Sequence, residues 1–483
     1  MTNIDAIVVG SGPNGLAAAV TLARAGLSVT VYERASTIGG GARTLELTLP
    51  GFRHDLGSAI HPMALASEFF RKFQLSDRID LAVPEMSYGH PLDGGAAGFA
   101  WRDIDRAASD LGADGAAWKS LLGPLVRSVD AIAEISGSTI VRVPRHPLVL
   151  AALGTRLLEQ GTAGWNARFS GPVAPALLTG VLAHSIQRLP SIAAAAAGLV
   201  LATHGHARGW PVPIGGSQSI INALAADLEA HGGTIVTDAH ISSLDELPPA
   251  RVVLLDTSAR SLLELAGDRV PSGYARTLRG YRYGNAIAKV DFALSSAVPW
   301  AAKDLASTAT LHLGGSREEV AENENALTRG RMPQSPYVLV AQPSAFDSTR
   351  APEGKHVLWA YTHVPKGSTE DRTEAITAQI ERFAPGFRDT ILASATSSAT
   401  QVEGWNPNYI GGDISAGSVK LTQLIRRPTL FNPWRTPIDG VYLCSASAAP
   451  GPGVHGMAGY RAALSALSHE FGIVAEPALG LES

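Results

Sequence analysis

A single cysteine, Cys444, stands in a chain of 483 residues. No internal disulfide can form, which fits a reducing compartment and an expected cytoplasmic location. The C-x-x-C of dithiol enzymes is missing too, so Cys444, set in a strand-like run, reads as a buried, inert thiol. Charge is sparse as well. Charged residues are 17% of the chain and the net charge is −4, which gives nucleic acid no electrostatic reason to bind. No apolar run reaches the roughly 18 residues that a membrane span requires. The longest, Ile192 to Thr203, is interrupted by Gly198 and reads as a buried helix. His204 and His206 form an H-x-H pair without an obvious third ligand, so no metal site is expected. The opening "MTNIDAIVVGSG" begins a strand almost at once, so no signal or transit peptide is expected.

What the chain has is length, alanine and glycine. Hydrophobic residues reach 45%, and 483 residues are too many for one compact core, so two domains are expected. Ile4 to Val9 is a β-branched run suited to a buried parallel strand. It leads into Gly10-Ser11-Gly12-Pro13-Asn14-Gly15, which fits G-x-G-x-x-G, and then into a helix capped near Gly26. A second strand, "SVTVYE", finishes on Glu33, 18 residues beyond Gly15. Each part has a physical task in binding a dinucleotide. Gly10 allows the tight turn, Gly12 lets backbone approach a pyrophosphate, and Gly15 permits close helix–strand packing. The helix N-terminus supplies amides and positive potential to the phosphates. Glu33 is placed to accept hydrogen bonds from a ribose.

Glu33 does not separate NAD from FAD, because both carry an adenosine ribose. The following residues help. "ERASTIGGGART" puts Arg34, then Gly39, Gly40, Gly41 and Arg43, directly after the second strand. A nicotinamide-only domain usually continues into a helix here, whereas this open glycine loop with a cation suits an extended dinucleotide. In "PGFRHDLGSAIHPM", the small residues Gly57, Ser58 and Ala59 allow a broad ring to approach. Near the far end, "CSASAAPGPGVHGMAGYRAALSAL" combines a glycine–proline loop with a helix from Met457.

On these segments, with "GWPVPIGGSQSIINALAADLEAHGGTIVT", the chain resembles the phytoene desaturase-like FAD oxidoreductases of the amine oxidase/glutathione-reductase superfamily. Within them it is most similar to the branch of pyridine nucleotide-disulfide oxidoreductase domain-containing protein 2. "NAIAKVDFALSSAVPW", "LHLGG", "VLVAQPSAFDSTRAPEGKHVLWAYTHVP", "NPNYIGGDI" and "GVHGMAGYRAA" carry that narrower likeness from end to end. The resemblance implies an α/β fold: a Rossmann-like FAD-binding domain with a discontinuous α+β substrate domain. The FAD domain would take residues 1–70, 205–285 and 435–483, and the substrate domain 71–204 and 286–434. "TIVTDAHISSL" reads as a strand whose Ile241 would lie beside the adenine. The late loop would pass under the isoalloxazine ring, with backbone N–H groups of Val454, His455 and Met457 as donors. Proline at 452, where relatives carry glycine, removes one N–H there.

Candidates for chemistry are few. His455 in the flavin loop is suited to relay a proton, against a merely structural role. His61 in "GSAIHPM" is a second candidate near the ring. Lys289 lies between apolar residues of a strand, where it would contact flavin or substrate, or else pair with a carboxylate. The resemblance and the apolar helical span 105–200 imply hydride transfer at flavin N5 with an isoprenoid- or lipid-like substrate, through desaturation, saturation or isomerisation. A peripheral membrane approach is compatible with that substrate. An amine or amino-acid oxidase is the alternative, though no clear aromatic and acidic set appears. A flavin-bearing scaffold with little turnover is the third reading. One dinucleotide fingerprint favours oxygen, a quinone or another oxidised acceptor, or redox-neutral chemistry. The sequence specifies no oligomeric state.

Overall fold

The computed structural model describes residues 4–481. Two sheets organise it. The first has five parallel strands in the order Val441–Leu443, Ala250–Leu255, Ile4–Val9, Val29–Tyr32 and Thr234–Val236. Ile4–Val9 sits at its centre, and Ala6, Ile7 and Val8 are fully buried. A strand covered on both faces has no reason to alternate, which explains the continuous apolar run of residues 6–9. The helix Pro13–Arg24 packs on one face against the C-terminal helix Met457–Glu470. Their approach depends on a missing side chain, because a Cβ on Gly459 would collide with the Asn14 carbonyl. Strand Thr234–Val236 stops well before Ile241, which corrects the longer strand expected there. Asp238 takes φ +55, a left-handed conformation that ends an extended run. The segment is then tied to the neighbouring turn by Ala239 N–H donating to the Glu33 carbonyl at 2.9 Å.

The second sheet has seven strands. Its order is Ile391–Ser397, Ala286–Leu294, His356–Val364, Val338–Ala341, Thr310–Leu313, Met86–Pro91 and Ala97–Trp101. Every pair is antiparallel except Thr310–Leu313 with Met86–Pro91. One face carries helix Thr373–Phe383, and Ile376 and Ile380 pack there against Phe292 and Leu358. Over the other lie the helices of residues 104–207, as the apolar span led one to expect. Among them, Ile192–Ala207 is buried on one side only; Ala196, Ala197, Val200 and Leu201 face a cavity instead. No helix of the described residues is long and apolar enough to cross a membrane.

Candidate functional site

One cavity of about 930 Å³ runs from the glycine loop of the first sheet to the helices over the second. Its narrow end is the turn after Ile4–Val9. Gly10 takes φ +102, which only glycine adopts without strain, and a Cβ on Gly15 would collide with the Gly10 carbonyl. Both observations agree with the tasks assigned from sequence. Gly12 shows an additional constraint. A Cβ there would sit 2.5 Å from the Asp256 carboxylate. Asp256 follows the strand Ala250–Leu255, and its Oδ2 accepts the Gly15 N–H at 3.0 Å. Burial pushes its carboxyl up to about 7, and Glu33 adds to the rise against the Gly15 and Gly12 amides.

Gly10, Gly12, Pro13 and Asn14 all line the cavity, and the Asn14 Oδ1 is buried without a partner. Glu33 stands beside them. Its Oε2 accepts the Ser11 N–H at 2.9 Å and the Ser11 hydroxyl at 2.6 Å, while Oε1 accepts the Ala35 N–H at 2.9 Å. A carboxylate offers about four acceptor positions, two on each oxygen, so Oε2 is fully used and one lone pair on Oε1 is left for a ribose hydroxyl. Arg34 and Ile241 line the same end, Ile241 from irregular chain rather than a strand. Gly40, Gly41 and Arg43 continue the wall. Arg43 donates to the Gly40 carbonyl at 2.9 Å and to the Trp405 carbonyl at 3.0 Å, and burial lowers its pKa.

A flat ring has a matching slot farther along. Gly57, Ser58 and Ala59 line one part, and a Cβ on Gly57 would meet the Gly41 carbonyl. Pro450, Pro452, Gly453, Val454 and His455 form another part. An acidic ribose acceptor, an amide cradle behind it and a ring-sized slot in line fit FAD. Bound there, FAD supplies two-electron redox chemistry at its isoalloxazine ring.

The candidates for proton transfer fare differently. His455 lines the cavity, but its Nε2–H donates to the Gly451 carbonyl at 3.1 Å and its Nδ1 accepts the Met457 N–H at 3.0 Å. Both ring nitrogens are thus spent on the loop, and burial pushes the imidazole down to about 4. His455 shapes this loop, which corrects the expected proton relay. The Met457 N–H is likewise unavailable as a flavin donor. The Met457 side chain is buried in the core beside Phe69, away from the cavity, which corrects that assignment. Lys289 takes the second of its two readings, the carboxylate pair, and not the contact with flavin or substrate. It is ion-paired with Asp291 on the same strand face, 5.7 Å from the Trp359 ring, and does not line the cavity. His61 does line it. Its Nε2–H donates to Ser217 Oγ at 2.7 Å, Ser217 donates onward to the Ser58 carbonyl, and His61 Nδ1 is left without a partner.

Sequence reasoning missed Asp256 and the stretch Trp405–Tyr409. Asn408 accepts the Ser258 N–H at 2.8 Å and donates to the Asp256 carbonyl at 3.2 Å. The Tyr409 hydroxyl lies where a Cβ on Gly41 would be. The phrase "NPNYIGGDI" was a signal for this contact, but pairing it with Gly41 requires the fold.

The wide end is apolar. Ile135, Leu153, Leu157 and Val200 face Ile287, Leu339 and the edge-to-face pair Trp359 and Tyr361. The carboxylates on the cavity wall, Glu33, Asp256 and Glu264, all belong to the dinucleotide end.

Comparison with known proteins agrees with this geometry. A rat protein, pyridine nucleotide-disulfide oxidoreductase domain-containing protein 2, is 26% identical, over 95% of this chain and 92% of its own length. The 4,4'-diapolycopen-4-al dehydrogenase of Metabacillus indicus is 30% identical over 132 residues, 26% of each chain. The solved structure of wild-type putrescine oxidase bound to putrescine superposes with a TM-score of 0.59 at 17% identity, covering 97% of this chain and 99% of that one. A dinucleotide cradle opening onto an apolar cavity is what an FAD-dependent oxidoreductase requires, and residues 14–466 match the family described as flavin containing amine oxidoreductase, to which the chain belongs.

Proposed function

We propose that the protein oxidises, reduces or isomerises C–C bonds of an apolar, isoprenoid- or lipid-like molecule held in the wide end of the cavity, with hydride exchanged at flavin N5. The observation that carries this reading is the wall of that end, built mainly from aliphatic and aromatic side chains without a carboxylate, with His184, Ser185 and Thr310 among its few polar members. A hydrocarbon chain gains roughly 0.8 kcal/mol for each CH₂ buried there. The partial likeness to a diapolycopenal dehydrogenase points the same way. Residues 1–70, 205–285 and 435–483 would form the FAD domain, and 71–204 and 286–434 the substrate domain. The glycines of the loop, with Glu33, Arg34, Arg43 and Ile241, would hold the cofactor, and His61 would stand beside its ring.

An amine oxidase is the second reading, favoured by the Trp359–Tyr361 pair and by the fold shared with putrescine oxidase. A diamine, however, would find no carboxylate for its far ammonium group in the wide end. The cavity mouth bears on partners. Ile140 and Leu150 line it and are 54% and 41% exposed, close in sequence to Val143 and Leu148 at 88% and 85%. Arg142 and Arg145 flank them, a combination that suits peripheral contact with a lipid surface.

The test is anaerobic mixing of the FAD-loaded protein with isoprenoid, fatty-acyl and amine panels, read near 450 nm, roughly where oxidised flavin absorbs. Bleaching by an isoprenoid or fatty-acyl compound supports the proposal. Bleaching by amines alone replaces it with the second reading. Flavin that stays oxidised throughout, with a stable protein partner recovered, favours a scaffold.

A further inference from the structure

Beside the cavity lies a set of histidines that the sequence did not single out. His184 lies in the turn Ala183–Ser185 after helix Val173–Leu182, lines the cavity and is partly accessible. Its Nε2 is 2.7 Å from Nε2 of His312, which is fully buried on strand Thr310–Leu313. The rings meet edge to face, 4.8 Å between centroids, with Trp210 against both. Behind His312 stands His90, also fully buried. The Nδ1 atoms of His90 and His312 have no partner, and both lie within 3.0 Å of where Gly180 would carry a Cβ.

The hydrogen bonds assign the protons. A carbonyl only accepts, so His90 Nε2, 2.7 Å from the Gly315 carbonyl, carries its proton. His90 Nδ1 is then a lone pair, and neither it nor His312 Nδ1 has a partner. With the His312 proton on Nδ1, its Nε2 is a lone pair that accepts the His184 Nε2–H across 2.7 Å. The remaining lone pair, on His184 Nδ1, is turned to the cavity. Burial holds all three imidazoles neutral, as this arrangement needs. The titratable groups around them are His363 facing His184, Tyr88 and Tyr337 against the His312 ring, and Glu319 near His90. Glu324 holds His363 Nδ1 at 2.6 Å and also faces Tyr337 and Tyr361.

We propose that His184 is the base of this cavity, with His312 as the positioning residue that sets its tautomer by accepting its Nε2–H. The assignment rests on the oxidative reading above. A C–C bond becoming a double bond loses one hydrogen as hydride to the oxidised flavin. The neighbouring hydrogen leaves as a proton to His184 Nδ1, and its bonding pair stays behind as the π bond. His61 is not so placed, because its free Nδ1 is buried.

The experiment uses FAD-loaded protein with histidine-selective ¹⁵N labelling, signals being assigned through His184→Gln and His312→Gln. Long-range ¹H–¹⁵N spectra at neutral pH should show His184 protonated on Nε2 alone and His312 on Nδ1, and His312→Gln should mix the His184 tautomers. A proton on His184 Nδ1 overturns the proposal, and needs no substrate to be known. For any compound that bleaches the flavin, His184→Gln should slow bleaching at least about 100-fold with FAD occupancy and thermal midpoint unchanged. Bleaching within about threefold of the parent rate overturns the proposal, since general base catalysis contributes far more. If no compound bleaches the parent protein, the oxidative reading fails, while the spectra still decide the tautomers.

Discussion

Asp256→Asn is the substitution with the most to say about cofactor binding. The Asp256 carboxyl would ordinarily titrate near 3.8 and is pushed up to about 7, first by burial and then by Glu33, against the Gly15 and Gly12 amides. At about 1.4 kcal/mol per pH unit, that displacement corresponds to roughly 4 kcal/mol between the protonated and ionised forms. The sign follows from the direction. A raised acid favours the fold when neutral, so its contribution is complete below 3.8 and is lost as pH rises through about 7. A pyrophosphate at the same glycine loop would add negative charge and raise the group further. Binding above that pH therefore draws in a proton. The affinity of the apoprotein for FAD should fall about tenfold per pH unit above 7 in the parent and stay flat in Asp256→Asn. The amide keeps the shape and an acceptor for the Gly15 N–H but cannot ionise. Flavin fluorescence quenching between pH 6 and 9 reads the affinity, and calorimetry in two buffers of different ionisation enthalpy counts the proton. Equal pH slopes for the two proteins would refute the reasoning, as would binding to the parent without proton uptake.

Glu33→Gln removes a charged acceptor at the ribose position and should weaken FAD binding about 10- to 100-fold, checked by the same quenching titration. Gly15→Ala forces a methyl into the Gly10 carbonyl, and should lower stability by about 1–3 kcal/mol in denaturant unfolding and empty the flavin site. Lys289→Met leaves the Asp291 carboxylate buried without its cation and should cost about 3–5 kcal/mol by the same assay. The protein that remains folded should bleach at the parent rate, because Lys289 lies behind the cavity wall. Val200→Trp narrows the wide end and should abolish bleaching by long-chain compounds while leaving reduction by dithionite unchanged.

The part of the site that sequence revealed is local. Gly10, Gly12, Gly15 and Glu33 lie within 24 consecutive residues and act through one strand, one turn and one helix, so their spacing carries their geometry. Asp256 accepts from Gly15 across 241 residues, and His184 meets His312 across 128. No local pattern encodes either pairing, because the sheet order and the helix packing create them. Between these extremes are signals present but only partly decisive. Lys289 and Asp291 are two apart on a strand, hence on one face, and their ion pair was available from "KVD". "TIVTDAHISSL" alternates like a strand, yet Asp238 turns left-handed and ends it.

His455 illustrates why the catalytic assignments were least secure. A histidine beside a flavin loop suggests proton transfer only if one ring nitrogen is free, and freedom is a tertiary property. Here the glycine–proline loop lacks regular backbone pairing, and the imidazole supplies it, bridging the Gly451 carbonyl and the Met457 N–H. The residue that a motif marks as reactive is therefore the one that holds the motif together. An imidazole with a nitrogen to spare has to stand where backbone is already satisfied, as His184 does at the end of a complete helix. His455→Asn should accordingly release FAD through a loosened loop, read as flavin lost on gel filtration. The fraction that keeps FAD should show an unchanged pH profile of bleaching. A shifted profile with full flavin retention would return the proton-transfer role to His455.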